Sequence, residues 1–229
     1  MCGRYTLRRI LDFIRQIARD LPPFEEIDEK RIEYRPRFNI AISQFAPIVY
    51  ANGEGVRKLE MAQWSLVPPN APAPLKLATF NAHADRLLTS PLWRGPFNRQ
   101  RCLIPADGWY EWPVLEGRKR PMFIRRKDDE PWVFAGLYSW WKPPGVDEAI
   151  PTYSMVTAAP DEWGKKYHHR WPVILDRNDC ARWLDKGVAG KEVLDLLKPL
   201  SRGLEAYEVG TAIGVAKHDN DGPGLIERA

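Results

Sequence analysis

Hydrophobic positions recur with two different periods along the chain, and each period predicts one kind of element. Over residues 7–21 they follow helical spacing, with arginine and aspartate on the opposite face, which predicts one amphipathic helix. Pro22 and Pro23 end that pattern. An acidic stretch at 25–33 then leads into 35–39, where prolines and arginines favour a shaped surface loop.

Short apolar runs typical of β-strands dominate the middle of the chain. They lie at residues 47–51, 58–66, 101–104, 109–112, 122–126, 132–140 and 152–158. A proline-rich excursion occupies 67–74, and residues 84–93 predict a short helix that stops at Pro91. Near the end, Asn178 or Asp179 can cap a helix over 180–184, followed by a second short helix at 191–197 and a last strand at 204–209.

These elements predict an α+β fold in a single domain over residues 1–229. We expect a strongly bent, mostly antiparallel sheet that forms a pseudo-barrel and is flanked by a few helices. No apolar run approaches the roughly 18 residues of a membrane-spanning helix, and five arginines interrupt residues 1–20. We therefore expect neither a membrane anchor nor a signal peptide.

Composition adds two constraints to this picture. The formal net charge is +4 and the pI is about 8.9, which permits a polyanionic partner without requiring one. The three cysteines, Cys2, Cys102 and Cys180, are an odd number without paired spacing, so a disulfide framework is not expected. The aliphatic neighbours of Cys102 and Cys180 indicate that both are core thiols.

Cys2 is the most informative candidate for chemistry. Initiator methionine is ordinarily removed before a small residue, so we expect the mature chain to begin with a free cysteine. Its α-amine, with a reference pKa of about 7.7–8.0, and its thiol, at about 8.5, are both partly nucleophilic near neutral pH. Such an aminothiol forms an imine with an aldehyde, and the thiol then closes a thiazolidine ring. The alternative is a small residue at a frayed terminus.

The segment at 101–112 offers a candidate acid or base. If 109–112 is a strand, Trp109 and Glu111 share one face while Tyr110 and Trp112 share the other. Burial of a carboxylate beside an indole would raise its pKa towards the range that general acid–base chemistry needs near neutral pH. A solvated strand carboxylate is the other interpretation of this spacing.

Two further motifs carry polar candidates. The segment at 165–172 places His168 and His169 in a basic cluster that suits phosphate, whereas adjacent histidines without a nearby cysteine or carboxylate set are poor zinc ligands. Asn81 can both donate and accept, which suits an amine or a sugar oxygen. Candidate phosphate clamps and stacking surfaces for a single strand are Arg4, Arg35, Arg37, Arg94, Arg99, Arg101 and Arg170, with Trp64, Trp93, Trp109 and Trp171, although those tryptophans also suit a core.

Taken in order, these fragments resemble one family. They are Met1-Cys-Gly-Arg4, Arg37-Phe-Asn39, Trp64 followed by Pro68, Asn81-Ala with an acidic residue at 85, the segment 101–112, and His168-x-Arg-x-Pro172. This order is similar to that of the SOS response-associated peptidase (SRAP) family, and the resemblance runs from Met1 to about residue 226.

The resemblance implies a protein that binds single-stranded DNA and crosslinks abasic sites through a Cys2 thiazolidine. It implies that Cys2 is the nucleophile, that Asn81 positions the reacting amine and sugar, that Glu111 moves protons and that His168 assists sugar-ring opening. DNA contacts are expected from Arg4, Arg37, Asn39, Trp64, His83 and Arg170. Autopeptidase removal of Met1 and some β-elimination are implied as well. No metal or organic cofactor is expected, and we expect a cytoplasmic monomer, associated with the nucleoid if the source is bacterial.

Departures from the family pattern leave other functions open. His83 stands where an arginine is usual, so DNA affinity is expected to be lower and more pH-dependent. Asp85 stands where a glutamate is usual, and Ile42 stands where a proline is usual, which alters a loop that shapes the DNA channel. One alternative is a cysteine peptidase that uses a pair of Cys2 and His168 on other proteins. The other is a noncatalytic nucleic-acid-binding module, in which arginine and tryptophan supply all the binding.

Overall fold

The structure is a computed structural model that describes residues 2–25, 35–215 and 220–229. The strands are β1 (Arg4–Leu7), β2 (Arg37–Ala41), β3 (Phe45–Ala51), β4 (Arg57–Trp64), β5 (Asn81–His83), β6 (Arg101–Ala106), β7 (Gly108–Glu111), β8 (Val114–Leu115), β9 (Arg118–Lys119), β10 (Met122–Arg126), β11 (Trp132–Trp141), β12 (Ile150–Ala158), β13 (Trp171–Pro172), β14 (Ile174–Leu175) and β15 (Leu204–Glu208). The α-helices are α1 (Ile10–Asp20), α2 (Pro91–Arg99) and α3 (Cys180–Leu184), and short 3₁₀ helices lie at Ala84–Arg86, Gly164–Lys166, Arg177–Asp179, Gly190–Leu196, Thr211–Gly214 and Pro223–Ile226. This confirms the predicted α+β class.

Five strands close into a barrel. β12 pairs with β4, β4 with β3, β3 with β6 and β6 with β11, and β11 pairs back to β12. Only the β12–β4 pair of this ring is parallel. Closure satisfies the strand edges that an open sheet would expose, and the predicted bent, partly closed sheet is confirmed. The short strands β5 and β13 both pair with β12, so they lie at the same end of the barrel wall.

A second, antiparallel sheet has the order β15-β10-β7-β1-β2. Along β7 the sheet is buried on both faces, since successive side chains of this strand point into two different hydrophobic cores. Trp109 belongs to the main core with the barrel, whereas Tyr110 packs with Phe123 and Tyr207 in a smaller core. Gly108 has to be glycine, since a Cβ there would lie 2.3 Å from the ring of Phe123.

Most of the predicted elements are confirmed, with boundary shifts. α1 buries the apolar face predicted from its periodicity, and the seven strand-like runs all form strands. The C-terminal prediction is confirmed for α3 and β15, while the stretch predicted at 191–197 forms a 3₁₀ helix. Asp179 is the N-cap residue of α3, but its side chain makes no capping hydrogen bond. None of the described helices is long and apolar enough to cross a membrane.

Two local predictions are wrong. The predicted helix over 84–93 is a 3₁₀ turn at Ala84–Arg86, and the α-helix begins at Pro91 instead of stopping there. Proline suits the first turn, where its missing N–H has no intrahelical partner to lose. The predicted surface loop at 35–39 is largely β2, which is mostly buried. Residues 26–33 of the predicted acidic connector lie outside the described part of the chain.

Candidate active site

Cys2 lies directly before β1 and is completely buried. Its thiol donates a hydrogen bond to the Arg4 carbonyl at 3.7 Å. Burial raises the pKa of this thiol well above its ordinary value, and Glu111 raises it further when its carboxyl is ionised. The thiol is therefore protonated near neutral pH and becomes nucleophilic only when a neighbouring base removes its proton.

Glu111 is brought to Cys2 by the pairing of β1 with β7. Tyr5 lies opposite Trp109 and Thr6 opposite Gly108, so the same register continued beyond β1 places Gly3 opposite Glu111. The side chain is only 1% exposed. Burial raises the pKa of its carboxyl to about 8. The upward direction of this shift agrees with the expectation from the sequence. A carboxylic acid with such a pKa can both give and take a proton near neutral pH.

Asn81 approaches the same residue from the barrel side. β5 runs parallel to β12, and this pairing aims the Asn81 side chain at the start of the chain. Its Nδ2 donates to the Cys2 carbonyl at 3.0 Å. Its Oδ1 is buried and has no hydrogen-bond donor among the described residues. An acceptor is thus left open beside the backbone of Cys2, where a free amine can use it.

His168 lies in the segment between the 3₁₀ helix Gly164–Lys166 and β13. The turn is held by Asp161, which accepts from the Gly164 amide at 2.9 Å, and the His168 amide donates to the Gly164 carbonyl at 3.1 Å. Burial lowers the pKa of the imidazole to about 4, so the ring is neutral near neutral pH. Its Nδ1 lies 3.1 Å from the Arg170 carbonyl oxygen, to which a protonated Nδ1 donates, and 3.0 Å from the Arg170 amide nitrogen, from which an unprotonated Nδ1 accepts. When Nδ1 accepts this hydrogen bond, Nε2 carries the ring proton.

β12 connects the histidine segment to β5. Thr157 pairs on one side with His83 and on the other with Pro172, and its Oγ1 lies 2.9 Å from His83 Nδ1. Arg170 reaches across to Asp85, with Nη1 and Oδ1 3.5 Å apart. Burial lowers the pKa of His83, and the charge of Arg170 lowers it further. His83 and Arg170 therefore lie close together on neighbouring segments.

An aromatic contact connects the strand that carries Glu111 with the segment that carries His168. Trp109, two residues before Glu111, meets Trp171 edge to face with ring centroids 4.9 Å apart. Trp171 follows Arg170 directly and is fully buried. The four predicted catalytic residues, Cys2, Asn81, Glu111 and His168, thus lie on elements that this packing and the β12 pairings bring to one end of the fold. Arg4 is half-buried beside them, and its Nη1 donates to the Gly3 carbonyl at 3.1 Å.

Two of the predicted DNA contacts, Arg37 and Asn39, have other partners. Arg37 is buried and forms an ion pair with Asp221, while its Nη2 donates to Gln44 at 2.8 Å. The side-chain Nδ2 of Asn39 donates to the carbonyls of Val215 and Asn220. These residues hold the C-terminal segment against β2, and both side chains are buried.

Trp64 is likewise unavailable for stacking. It is fully buried, its Nε1 donates to the Phe80 carbonyl at 2.8 Å, and its ring lies parallel to that of Tyr153. The other tryptophans considered for stacking, Trp93, Trp109 and Trp171, are buried too, as are Arg101 and the thiols of Cys102 and Cys180. Arg35, Arg94 and Arg99 are exposed.

Thr157 and Asp221 are site and support residues that the sequence did not single out. Alternation along β12 predicts the face of Thr157 but not its histidine partner, and no local signal marks Asp221 as the counterion of Arg37. Among the described residues, no group of three or more histidine, cysteine or acidic side chains could hold a metal ion.

Comparison with known proteins agrees with this arrangement. Residues 1–216 match the family described as SOS response associated peptidase (SRAP). The chain is 36% identical over 236 residues to "Abasic site processing protein YoqW" of Bacillus subtilis (strain 168), with 99% of each chain covered. It is 28% identical over 258 residues to "Abasic site processing protein HMCES" of Gallus gallus, covering 96% of this chain and 76% of that one.

Solved structures share the fold. A protein from Bacteroides thetaiotaomicron superposes with a TM-score of 0.82 over the full length of both chains at 22% identity. A protein from Bordetella bronchiseptica superposes with a TM-score of 0.74, covering 91% of this chain and all of the other, at 22% identity. Fold and site together define a barrel-containing α+β protein with a cysteine at position 2 beside a buried carboxylic acid. The chain belongs to the SRAP family.

Proposed function

We propose that this protein processes abasic sites in single-stranded DNA by joining the sugar aldehyde to Cys2 as a thiazolidine, after removal of Met1. The observation that carries the proposal is that Asn81 and the buried Glu111 both lie beside Cys2. Asn81 is 79 residues from Cys2 in sequence, and Glu111 is more than a hundred residues away. The names of the YoqW and HMCES relatives support the same substrate.

The first step is addition of the Cys2 α-amine to C1′ of the open-chain sugar. Asn81 Oδ1 accepts a hydrogen bond from the amine and orients its lone pair towards the aldehyde carbon. The adduct is a carbinolamine, in which the former carbonyl oxygen has become a hydroxyl. The protonated Glu111 carboxyl then donates its proton to that hydroxyl, which leaves as water and yields an iminium ion.

The second step closes the ring. Glu111 is now a carboxylate and takes the proton from the Cys2 thiol, whose raised pKa keeps it inactive until this point. The thiolate attacks the iminium carbon, forming the C–S bond and a neutral ring nitrogen. Glu111 ends in its starting protonated state, and one water is released overall, so no cofactor is required by the balance of the reaction.

The remaining residues act on the sugar and its phosphates. A neutral His168 with its proton on Nε2 donates a hydrogen bond to the ring oxygen and favours the open-chain aldehyde. Arg4 and Arg170 bind the flanking phosphates, with His83 beside them as a weaker contact. In the same proposal the site removes Met1 as an autopeptidase, and the iminium ion permits some β-elimination.

The test combines intact mass with a denaturing gel. The intact mass of the purified protein is measured by mass spectrometry. The protein is then incubated with a single-stranded oligonucleotide carrying one abasic site, in parallel with the Cys2→Ala and Glu111→Gln variants. We expect a mass without Met1, a denaturant-resistant adduct for the wild type, none for Cys2→Ala and slower formation for Glu111→Gln. Cys180→Ala is the matched control, since this thiol is also buried but far from Glu111 in the chain, and it should crosslink normally.

Two outcomes contradict the proposal. Processed protein that gives no adduct at any pH excludes the crosslink, and an adduct retained by Cys2→Ala excludes the aminothiol. Selective blocking of the α-amine separates the proposal from a thiol peptidase, because the thiazolidine needs the amine whereas a peptidase thiolate does not.

A further inference from the structure

The charged residues of the segment from residue 86 to residue 106 are all arginines. From residue 86 to residue 106 the chain contains no aspartate or glutamate, while it contains Arg86, Arg94, Arg99 and Arg101. Arg101 is buried, but the other three are exposed. Trp93 and Phe97 form the buried side of α2, which leaves Arg94, Gly95 and Arg99 on its outer side.

This basic surface begins at the candidate active site. Arg86 follows Asp85, which contacts Arg170, and its charge reaches His83. Main-chain hydrogen bonds then run from the Ser90 amide to the Arg86 carbonyl at 2.9 Å and from the Arg94 amide to the Ser90 carbonyl at 3.0 Å. The turn after Arg86 is thus joined to α2 through Ser90, whose backbone is extended, and the arginines lie on these two consecutive elements.

Nothing in the described part of the chain neutralises these three arginines. None of them lies within ion-pair distance of a described carboxylate, whereas Arg8, Arg37, Arg125 and Arg182, for comparison, all form ion pairs. The adjacent 3₁₀ helix Gly190–Leu196 does carry acidic residues, but they are engaged elsewhere. Glu192 accepts from the Ala189 amide at 3.0 Å, and Asp195 pairs with Arg182 at 2.7 Å.

We propose that Arg86, Arg94 and Arg99, which we call the α2 track, bind the phosphate backbone of the DNA strand that flanks the reacting nucleotide. The inference rests on the proposed function for its ligand. Arg94 and Arg99 are five residues apart on α2, a rise of about 7.5 Å along its axis, which is roughly the axial rise of two stacked nucleotides. Arginines at this spacing, free of carboxylates, suit a repeating anion and read no bases.

Gly95 allows a sharp test, because it lies between Arg94 and Arg99 and a Cβ built there meets nothing within 4 Å. Side chains added at this position change the charge of the α2 track and meet no atoms beyond the chain neighbours. Gly95→Glu, Gly95→Gln and Gly95→Lys form the series. Pro96 follows, and a Cβ before proline disfavours the helical conformation, so all three variants share that cost and Gly95→Gln is the reference of the series. Gly53→Glu is the control for net charge, since Gly53 is exposed on the β3–β4 turn and is equally unobstructed.

Reversible affinity is measured by fluorescence anisotropy in a Cys2→Ala background over a range of salt concentrations. At low salt we expect Gly95→Glu to bind about threefold more weakly than Gly95→Gln and Gly95→Lys to bind more tightly than Gly95→Gln, while Gly53→Glu matches the parent. Arg94→Gln should lower the slope of log affinity against log salt by about 0.7, the value for one lost phosphate contact on a single strand.

Shortening the DNA gives an independent readout. With one flank of the abasic site cut back at a time, the difference between Gly95→Glu and Gly95→Gln should vanish for the flank that the α2 track binds and persist for the other. Equal affinities across the Gly95 series, or a difference that no flank removes, overturn the α2 track. If these variants behave alike while the wild type still crosslinks, only this inference fails. If the wild type neither binds nor crosslinks, the proposed function fails with it.

Discussion

Replacing Glu111 by glutamine should change how the stability of the protein depends on pH. Burial raises the pKa of the Glu111 carboxyl in the folded protein to about 8 from an ordinary 4.5. Glutamine keeps nearly the same shape and remains neutral at every pH. The substitution therefore removes the titration while it preserves most of the packing against the Trp109 side of the sheet.

The direction follows from proton binding. Between pH 4.5 and about 8 the folded state holds a proton on Glu111 that the unfolded state has released, so the free energy of unfolding falls as the pH rises. The contribution is fully present below about pH 4.5 and is lost as the pH passes through about 8. At about 1.4 kcal/mol for each pH unit, this interval corresponds to about 5 kcal/mol.

The assay is urea unfolding of the wild type and Glu111→Gln at several pH values from about 5 to about 9. We expect the wild type to lose stability relative to the variant by several kcal/mol across this range, with an unchanged urea slope. Glu54→Gln, which removes an exposed carboxylate from the β3–β4 turn, should follow the wild type. Parallel curves for wild type and Glu111→Gln would refute the raised pKa and, with it, the acid role proposed for Glu111.

Two further predictions concern buried polar groups that hold the fold. The buried Arg101 donates to five main-chain carbonyls, those of Phe97 and Val188 at 2.8 Å and those of Trp183, Asn98 and Asp185. Arg101→Gln should therefore lower the free energy of urea unfolding by about 3 kcal/mol. Substitution of an exposed arginine, Arg118→Gln, should leave it unchanged. The Asp107 carboxylate accepts from Thr6 Oγ1 at 2.6 Å, from the Arg9 amide at 3.1 Å and from the amide and Nε of Arg8. Asp107→Asn should therefore lower the free energy of unfolding by about 2 kcal/mol in the same assay. The cost of Arg8→Gln should then be smaller in the Asp107→Asn background than in the wild type, and strict additivity would contradict the ion pair.

Elements with a strong local period were predictable. α1 follows from apolar residues at helical spacing, and the barrel strands follow from short apolar runs, because burial of one face or of a whole strand leaves its mark on neighbouring residues. The family resemblance also rested on local motifs, and the comparison confirmed it. Both errors arose where proline and arginine were taken as loop signals. Pro91 opens α2, and Arg37 is part of a strand because Asp221, far along the chain, neutralises it.

The sequence by itself determined which atoms are available for the chemistry. A cysteine at position 2 supplies an aminothiol once Met1 is gone, and alternation along 109–112 places Glu111 on the face of Trp109. These properties belong to single residues or to near neighbours, so no fold is needed to infer them. The direction of the Glu111 pKa shift followed from the same local reasoning, given burial.

Only the tertiary structure decided which of these groups meet and in what state. Asn81 reaches the Cys2 carbonyl because β5 pairs with β12, and Glu111 reaches Cys2 because β7 pairs with β1. Of the arginines considered for phosphate, Arg37 is paired and Arg101 is enclosed by carbonyls, whereas Arg94 and Arg99 stay exposed without a described counterion. Burial and ion pairing depend on residues distant in sequence, and they set the charge that each side chain presents.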